Sequence, residues 1–371
     1  MNDQRPITSG QLPTTSNQLP ARSCVLTLIV PAYDMERWLD ACLASLAPME
    51  GERLPPYEVL VVNDGSRDRT SEIAHEWQRR HPNVFRVIDK ANGHYGSCVN
   101  VALAAAKGTY VKVLDADDAF CHAMFADYLE LLAKLATRAN VPDVVVNDEE
   151  WVAADGTSMH VRRYGLPDEF DMTHLLACAQ TITIHALAYR TDLLRQMDYC
   201  QTEGIPYTDT EWFTLPMVQV RSGVHFGHTL YRYSIQRPGQ SIEAAAYARD
   251  VDALVKVFDR MRAAYRDDKV ARAATNSAYL LEQLKRLALV IGSVCVYNLP
   301  TKRTTEVLAP FLEKVSADLP EVMTALDAAC VFSWSPLPLH HLRFWRRHPR
   351  LRRPLLVLLH AYVRLLPSYR G

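Results

Sequence analysis

The chain has 371 residues, of which 49% are hydrophobic and 22% charged, with only 14 glycines. That length exceeds what one hydrophobic core usually organises, so a main domain with an appendage is expected, and collagen-like, low-complexity and wholly disordered classes are excluded. The net charge of −1 conceals an asymmetry: residues 332–371 carry eight Arg and no Asp or Glu, leaving 33 basic against 42 acidic residues, −9, for residues 1–330. An acidic body of this kind argues against nucleic acid as a partner.

Residues 1–23 are rich in Gln, Thr, Ser and Pro, contain no apolar stretch of signal-peptide length, and read as a disordered leader. The eight cysteines are scattered without a C-x-x-C pair or a zinc spacing, which fits reduced thiols in a cytoplasmic protein. From Val25 the pattern alternates. Val25–Val30 is a buried-strand run, followed by Trp38, Leu39, Cys42, Leu43 and Leu46 at helical spacing. Val59–Val62 is a second strand, followed by an Asn63-Asp-Gly-Ser66 turn and a helix carrying Ile73, Ala74 and Trp77. A third strand surrounds Val84–Ile88, a Gly-containing loop opens a helix over Ser97–Lys107, and Tyr110–Leu114 forms a fourth strand. Strands joined by helices imply parallel pairing with right-handed crossovers, and such sheets bind ligands beyond the carboxyl ends of their strands.

After Val144–Val146 the signals change. Asp155-Gly156 between Trp151-Val152 and Met159–Tyr164 predicts an antiparallel hairpin. Thr181–Tyr189 alternates as a strand does, and His185 within it reads as a satisfied core histidine. Val224–Ile235 alternates less regularly, and Ala244–Cys330 is rich in Ala and Leu at helical spacing. The expected domains are therefore 24–241 for an α/β unit, 242–331 for a helical appendage and 332–371 for a basic amphipathic tail.

Four polar clusters follow the four strands: Pro31-Ala-Tyr33-Asp34 with Glu36, Asn63-Asp64-Gly-Ser66, Asp89-Lys90-Ala-Asn92-Gly93-His94-Tyr95-Gly96, and Asp115-Ala-Asp117-Asp118. Parallel topology assigns them to one rim. Such a rim would offer carboxylates to ribose and base, helix-start N–H groups to phosphate, and an Asp-x-Asp pair to a divalent cation, Mg²⁺ or Mn²⁺. Each cluster alone has a plainer reading as a turn or helix cap; their order along the chain is what points to a nucleotide-diphosphate site. Cys98 reads as packing, and His94 and Tyr95 as either loop packing or contacts to diphosphate or acceptor.

The segments IVPAYD-x-E-x-WL, YEVLVVNDGSRDRT and NGHYGSCVNVALAAAKGTYVKVLDADD together resemble the family 2 glycosyltransferases, densely over residues 25–118 and more thinly to about 241. The resemblance implies a GT-A fold, a Rossmann-like, mostly parallel α/β sheet flanked by helices, and an inverting transfer of sugar from a nucleotide donor, UDP-sugar favoured, to a hydroxyl acceptor. It implies that Asp34, Glu36 and Asp64 contact the nucleoside, that Asp115 lies near the ribose, and that Asp117, with Asp115, holds the metal. Pro31, Tyr33, Ser66, Lys90, Asn92, Gly93 and Arg237 join these as donor-binding candidates, Arg237 lying in a Pro238-Gly239 turn with Gln240-Ser241. In Tyr207-Thr-Asp-Thr-Glu-Trp212 the resemblance assigns the base to Asp209, with Glu211 as the other candidate; Thr208 stands where the family often has Glu. A nucleotidyltransferase of related architecture and a non-catalytic nucleotide-sugar binding module are the alternatives.

No run reaches the roughly 20 apolar residues that span a bilayer, the longest, Leu355–Leu366, being broken by His360 and Arg364. Residues 343–366, with their arginines ahead of an apolar helix, are expected to touch the inner face of the membrane peripherally or to pack on the appendage, and a lipid-linked acceptor would suit the former.

Overall fold

A computed structural model describes residues 24–153, 155–178, 181–235, 244–267, 273–330 and 339–363. Its strands are β1 (Leu26–Ala32), β2 (Tyr57–Asn63), β3 (Phe85–Asp89), β4 (Tyr110–Val113), β5 (Ala119–Phe120), β6 (Val144–Val152), β7 (Ser158–Arg162), β8 (Glu169–Phe170), β9 (Leu187–Arg190) and β10 (Gly223–Ser234). The helices are α1 (Leu39–Ala44), α2 (Thr70–Arg80), α3 (His94–Ala105), α4 (His122–Ala136), α5 (Met172–Ala177), α6 (Thr191–Gln196), α7 (Asp209–Trp212), α8 (Ala244–Arg249), α9 (Val251–Arg266), α10 (Ala274–Asn298), α11 (Thr301–Asp318), α12 (Pro320–Ala328), α13 (His341–Arg347) and α14 (Arg352–Val363).

The strands form one mixed sheet in the order β3-β2-β1-β4-β9-β6-β10-β5, with β7 pairing β6 and β8 pairing β10. The β1 to β4 units pair in parallel, as the alternation of apolar runs and helical spacing requires. Their register sets Ala32 beside Asn63 and Asn63 beside Asp89, so the loops that follow open on the same rim. Burial on both faces explains the near-continuous apolar strands. In β1, Leu28 and Val30 face the core shared with α1, α2 and α4, while Ile29 faces the core shared with α3. That second core continues from the sheet into the helical region, through Leu254, Val257 and Phe258 of α9, Leu284 and Ile291 of α10, and Leu355, Leu356 and Leu359 of α14. Helix α14 thus packs its inner face on the helices before it.

The hairpin expected around Asp155-Gly156 is present as β6 and β7, and Gly156 sits at φ 82°, the left-handed region such a turn demands. The strand expected over Thr181–Tyr189 is a correction. Only Leu187–Arg190 forms a strand, antiparallel between β4 and β6, and Ile184–Ala186 winds into a 3₁₀ turn. The eight cysteines are unpaired. Among the described residues no helix is long and apolar enough to cross a membrane.

Candidate functional site

Of the sequence-predicted residues, Pro31, Tyr33, Asp64, Asn92, Asp115 and Asp117 line one cavity of about 590 Å³ at the rim. Asp34, Glu36, Ser66, Lys90 and Gly93 are not among its described lining. Their hydrogen bonds tie the surrounding loops to one another. Asp34 sits at φ 55°, a conformation that costs a non-glycine residue about 1–3 kcal/mol and needs outside support. That support comes from the β2 loop: the Asp34 N–H donates to Ser66 Oγ at 3.1 Å, and Asp34 Oδ1 accepts the Arg67 N–H at 2.8 Å. Glu36 repeats the device, its Oε2 accepting the Arg69 N–H at 3.2 Å while its own N–H donates to Asp68 Oδ2 at 3.0 Å.

Asp64 is buried, and its Oδ1 accepts from Lys90 Nζ at 2.6 Å and from the Gly93 N–H at 3.0 Å. Asn92 Nδ2 donates to the Asp64 carbonyl at 3.0 Å, and Lys90 also donates to Ser97 Oγ at 2.8 Å. Lys90 is therefore a brace between the β2 loop and the first turn of α3. Gly65 allows the approach, because a Cβ there would lie 3.0 Å from the Asn92 nitrogen and its φ is 74°. Helix α3 starts at Gly93 without a side-chain cap, and its first residues, His94 and Tyr95, line the cavity. Uncapped N–H groups at a helix start attract anions.

The β4 loop is tied to β10. The Asp115 N–H donates to the Tyr231 hydroxyl oxygen at 3.2 Å; that hydroxyl donates to Asp118 Oδ2 at 2.7 Å, and the Ser234 N–H donates to Asp118 Oδ1 at 2.8 Å. Asp118 is thus an anchor, whereas Asp115 and Asp117 reach the cavity. Tyr95 donates its hydroxyl to Asp115 Oδ1 at 2.8 Å.

His185 lies beside this cluster. The 3₁₀ turn swings its ring to stack on Tyr231, centroids 4.5 Å apart, with Nε2 3.5 Å from Asp115 Oδ2 and Nδ1 3.8 Å from Glu149 Oε2. Asp115, Asp118 and His185 each offer a ligand atom, all within 4.8 Å of one another. The sequence did hold a sign of this. Thr181, Thr183 and His185 alternate as a polar face inside an otherwise buried segment, and Thr183 Oγ1 donates to Glu149 at 2.6 Å. Beneath, fully buried Lys112 donates to Asn147 Oδ1 at 2.8 Å and to the His185 carbonyl at 2.6 Å.

The electrostatics record crowded negative charge. Burial, augmented by Asp117 and Asp115 and opposed by His185, pushes Asp118 up to about 8. For His185 burial disfavours the cation, but the hydrogen bond and charge of Asp115 outweigh it and raise the ring to about 8. Burial brings Lys112 down to about 7. Asp209, the first residue of α7, is raised to about 6 by burial and then by the charge of Asp115. It is not among the cavity's described lining, yet it senses the acidic cluster. Tyr207, two residues earlier, is held at φ 64°.

Glu211 faces the other way and is 0% exposed, both oxygens engaged by Thr202: the N–H to Oε2 at 2.8 Å and Oγ1 to Oε1 at 2.7 Å. Arg237, Gln240 and Ser241 lie outside the described residues.

Residues 27–197 match the profile described as Glycosyl transferase family 2. An uncharacterized glycosyltransferase of Bacillus subtilis, EpsJ, is 39% identical over 101 residues, covering 27% of this chain and 28% of that protein. An uncharacterized glycosyltransferase of Escherichia coli, YibD, is 24% identical over 258 residues, 65% of this chain and 72% of its own. The chain thus spans between about a quarter and a third of the first curated relatives it matches, 28% of EpsJ and 32% of the Mycoplasma pneumoniae MG025 homolog. Among solved structures, residues 1–349 of S. aureus TarS in complex with UDP superpose with a TM-score of 0.62 at 16% identity, covering 91% of both chains, so the shared fold reaches into the helical region. The Pyrobaculum calidifontis mannosyltransferase PcManGT, in complex with GDP-Man and Mn²⁺, gives 0.50 at 17% identity over 92% of this chain and 88% of that one. Residues 27–197 are thus a glycosyl transferase family 2 region, and the chain has the fold of these enzymes, a GT-A-like mixed sheet extended by carboxyl-terminal helices.

Proposed function

We propose that this protein transfers a sugar from a nucleoside-diphosphate donor to an acceptor hydroxyl in one inverting displacement. The observation that carries the reading is the meeting of Asp64, Asp115 and Asp117 on one cavity beside the uncapped start of α3. Asp64, Asn92 and Tyr33 receive the nucleoside, and the first turn of α3 faces the diphosphate. TarS with UDP and PcManGT with GDP-Man support the donor class, and UDP-sugar is the donor favoured.

The donor set suits a hard divalent cation, Mg²⁺ or Mn²⁺: Asp115 and Asp117 on the cavity, with buried Asp118 and the His185 imidazole beside Asp115. Asp115 and Asp117 would hold the ion, His185 standing beside Asp115. When bound, it would neutralise charge on the departing diphosphate. Asp209 accepts the proton of the acceptor hydroxyl as its oxygen bonds to the anomeric carbon and the bond to diphosphate breaks. Glu211, enclosed and doubly bonded, is left to position this segment.

The test is a panel of nucleotide-sugars with Mg²⁺ or Mn²⁺, read as nucleoside-diphosphate release with and without lipid-phosphate acceptors. Cation-dependent release with one donor is expected. Tight donor binding with no release under any acceptor would instead make the protein a binding module.

We further propose that residues 343–366 rest on an anionic membrane surface, which would bring a lipid-linked acceptor to the site. On α14 the outward residues Pro354, Val357, Leu358 and Ala361 are all apolar and exposed, Val357 by 62% and Leu358 by 51%, and Leu351 just before them by 46%. Arg343, Arg347, Arg350 and Arg353 are exposed around this face, each worth about 1 kcal/mol near anionic lipid. Co-sedimentation with vesicles containing anionic lipid should be lost in Val357→Glu/Leu358→Glu and absent from purely zwitterionic vesicles. Equal recovery of both proteins in the supernatant would reject the contact.

A further inference from the structure

Asp209 opens a helix of only four residues. Isolated helices shorter than about 12 residues are marginal in water, so the direction of α7 is set by what grips it. Two grips belong to the α/β unit. Gln201 Nε2 donates to the Thr208 carbonyl at 2.6 Å, and the Tyr189 hydroxyl donates to the Trp212 carbonyl at 3.0 Å while the Trp212 ring packs edge-on against Tyr189. The third comes from the helical region. The enclosed Glu211 carboxylate meets the guanidinium of Arg260 on α9, whose Nη1 lies 3.4 Å from Glu211 Oε2 and donates to Thr202 Oγ1 at 2.9 Å, while Nη2 donates to the Cys200 carbonyl.

The gripped segment also touches α3. A Cβ on Gly96 would fall 2.1 Å from the Thr202 carbonyl oxygen, and Asn100 exchanges hydrogen bonds with Gln201, accepting its N–H at 2.7 Å and donating to its carbonyl at 2.9 Å. One short stretch, Cys200–Thr202, is thus clamped between the helix that faces the donor, the helix that carries Asp209, and Arg260.

We propose that Arg260 is a positioning residue for Asp209, acting through Glu211 and Thr202, so that the helical region sets the aim of a side chain in the α/β unit. Arg260 lies outside residues 27–197, the span that matches the family profile. A guanidinium suits the task because its fork engages a carboxylate, a hydroxyl and a carbonyl at once, which an ammonium cannot do in the same geometry. The inference rests on Asp209 being the base.

Full-length Arg260→Ala, Arg260→Lys, Glu211→Gln, the Arg260→Ala/Glu211→Gln pair and Asp209→Asn are compared by kcat, by donor affinity and stoichiometry in calorimetry, and by amide hydrogen exchange. A misplacement of about 1 Å costs up to ~100-fold in rate. Arg260→Ala should therefore lose about 10- to 100-fold in kcat, with one donor bound per chain, affinity within about twofold of wild type, and faster exchange at residues 200–212 but not in β1–β4. Arg260→Lys should recover part of the rate. Adding Glu211→Gln to Arg260→Ala should cost less than about threefold more, because both act on one contact. Wild-type kcat and exchange in Arg260→Ala, or fully additive losses in the pair, overturns the proposal. If instead Asp209→Asn turns over like wild type, the base assignment falls and the positioning role falls with it, while exchange at 200–212 still reports whether the clamp exists.

Discussion

Replacing Asp209 by Asn tests the chemical reading most directly. The amide keeps the size and the start of α7 but cannot accept a proton. General-base catalysis contributes about 10² to 10⁴ in rate, so kcat should fall by that factor, roughly 3–5 kcal/mol of barrier. Burial, then the charge of Asp115, raises Asp209 to about 6, so it is charged and competent above that pH and protonated and idle below it. Turnover should accordingly decline about tenfold per unit as pH falls below 6, and an ordinary exposed aspartate near 3.9 would put the decline about two units lower. The assay is initial-rate release of nucleoside diphosphate at saturating donor and cation from pH 5 to 8, with donor affinity measured in parallel. Donor binding should survive within about twofold, since Asp209 is not among the described residues that line the cavity. An Asp209→Asn protein that turns over within about threefold of wild type, or keeps the same acid limb, refutes the assignment.

Asp117→Ala removes one of the two cavity carboxylates proposed to hold the cation, and the cation concentration for half-maximal activity should rise at least about tenfold, 1.4 kcal/mol, as read by Mn²⁺ titration. Gly96→Ala drives a methyl against the Thr202 carbonyl oxygen, and the overpacking should cost about 1–3 kcal/mol in chemical denaturation; an unchanged midpoint would mean the two segments part freely. His225 has both ring nitrogens 2.9 Å from acceptors, the Leu166 carbonyl and Asp148 Oδ1, which only the doubly protonated ring satisfies. Although burial opposes it, the Asp148 hydrogen bond and charge raise the ring above its ordinary 6.5. The stability it contributes is therefore present below pH 6.5 and lost as pH rises through the raised value. Denaturation midpoints should decline across that window in wild type and less steeply in His225→Asn, and parallel slopes would exclude the pair as the cause.

The parallel rim was legible because it depends on local signals. Apolar strand runs, helical spacing and short polar loops imply βαβ pairing, and pairing in register puts the ends of β1 to β4 together whatever the rest of the chain does. Sequence alone thus assigns the loops carrying Asp64, Asp115 and Asp117 to one crevice. Roles within the loops were less legible. Asp34, Glu36 and Lys90 look in sequence like any other polar residues of such a crevice, and only their partners reveal that backbone N–H groups, or Asp64, occupy them.

His185 shows where the pattern runs out. Its alternation with apolar neighbours reads as strand and core in any window of the sequence, and the 3₁₀ turn that carries it to Asp115 directly precedes β9, which inserts antiparallel between β4 and β6. Arg260 was less visible still, one of several arginines on an amphipathic helix. Periodicity records which residues leave water, and that much the chain settled alone: the alternation of layers, the acidic rim and the helical character of its second half. Which buried groups then meet depends on contacts between segments tens to a hundred residues apart, and Asp115 with His185, or Glu211 with Arg260, became neighbours only when the whole sheet and its helices closed around them.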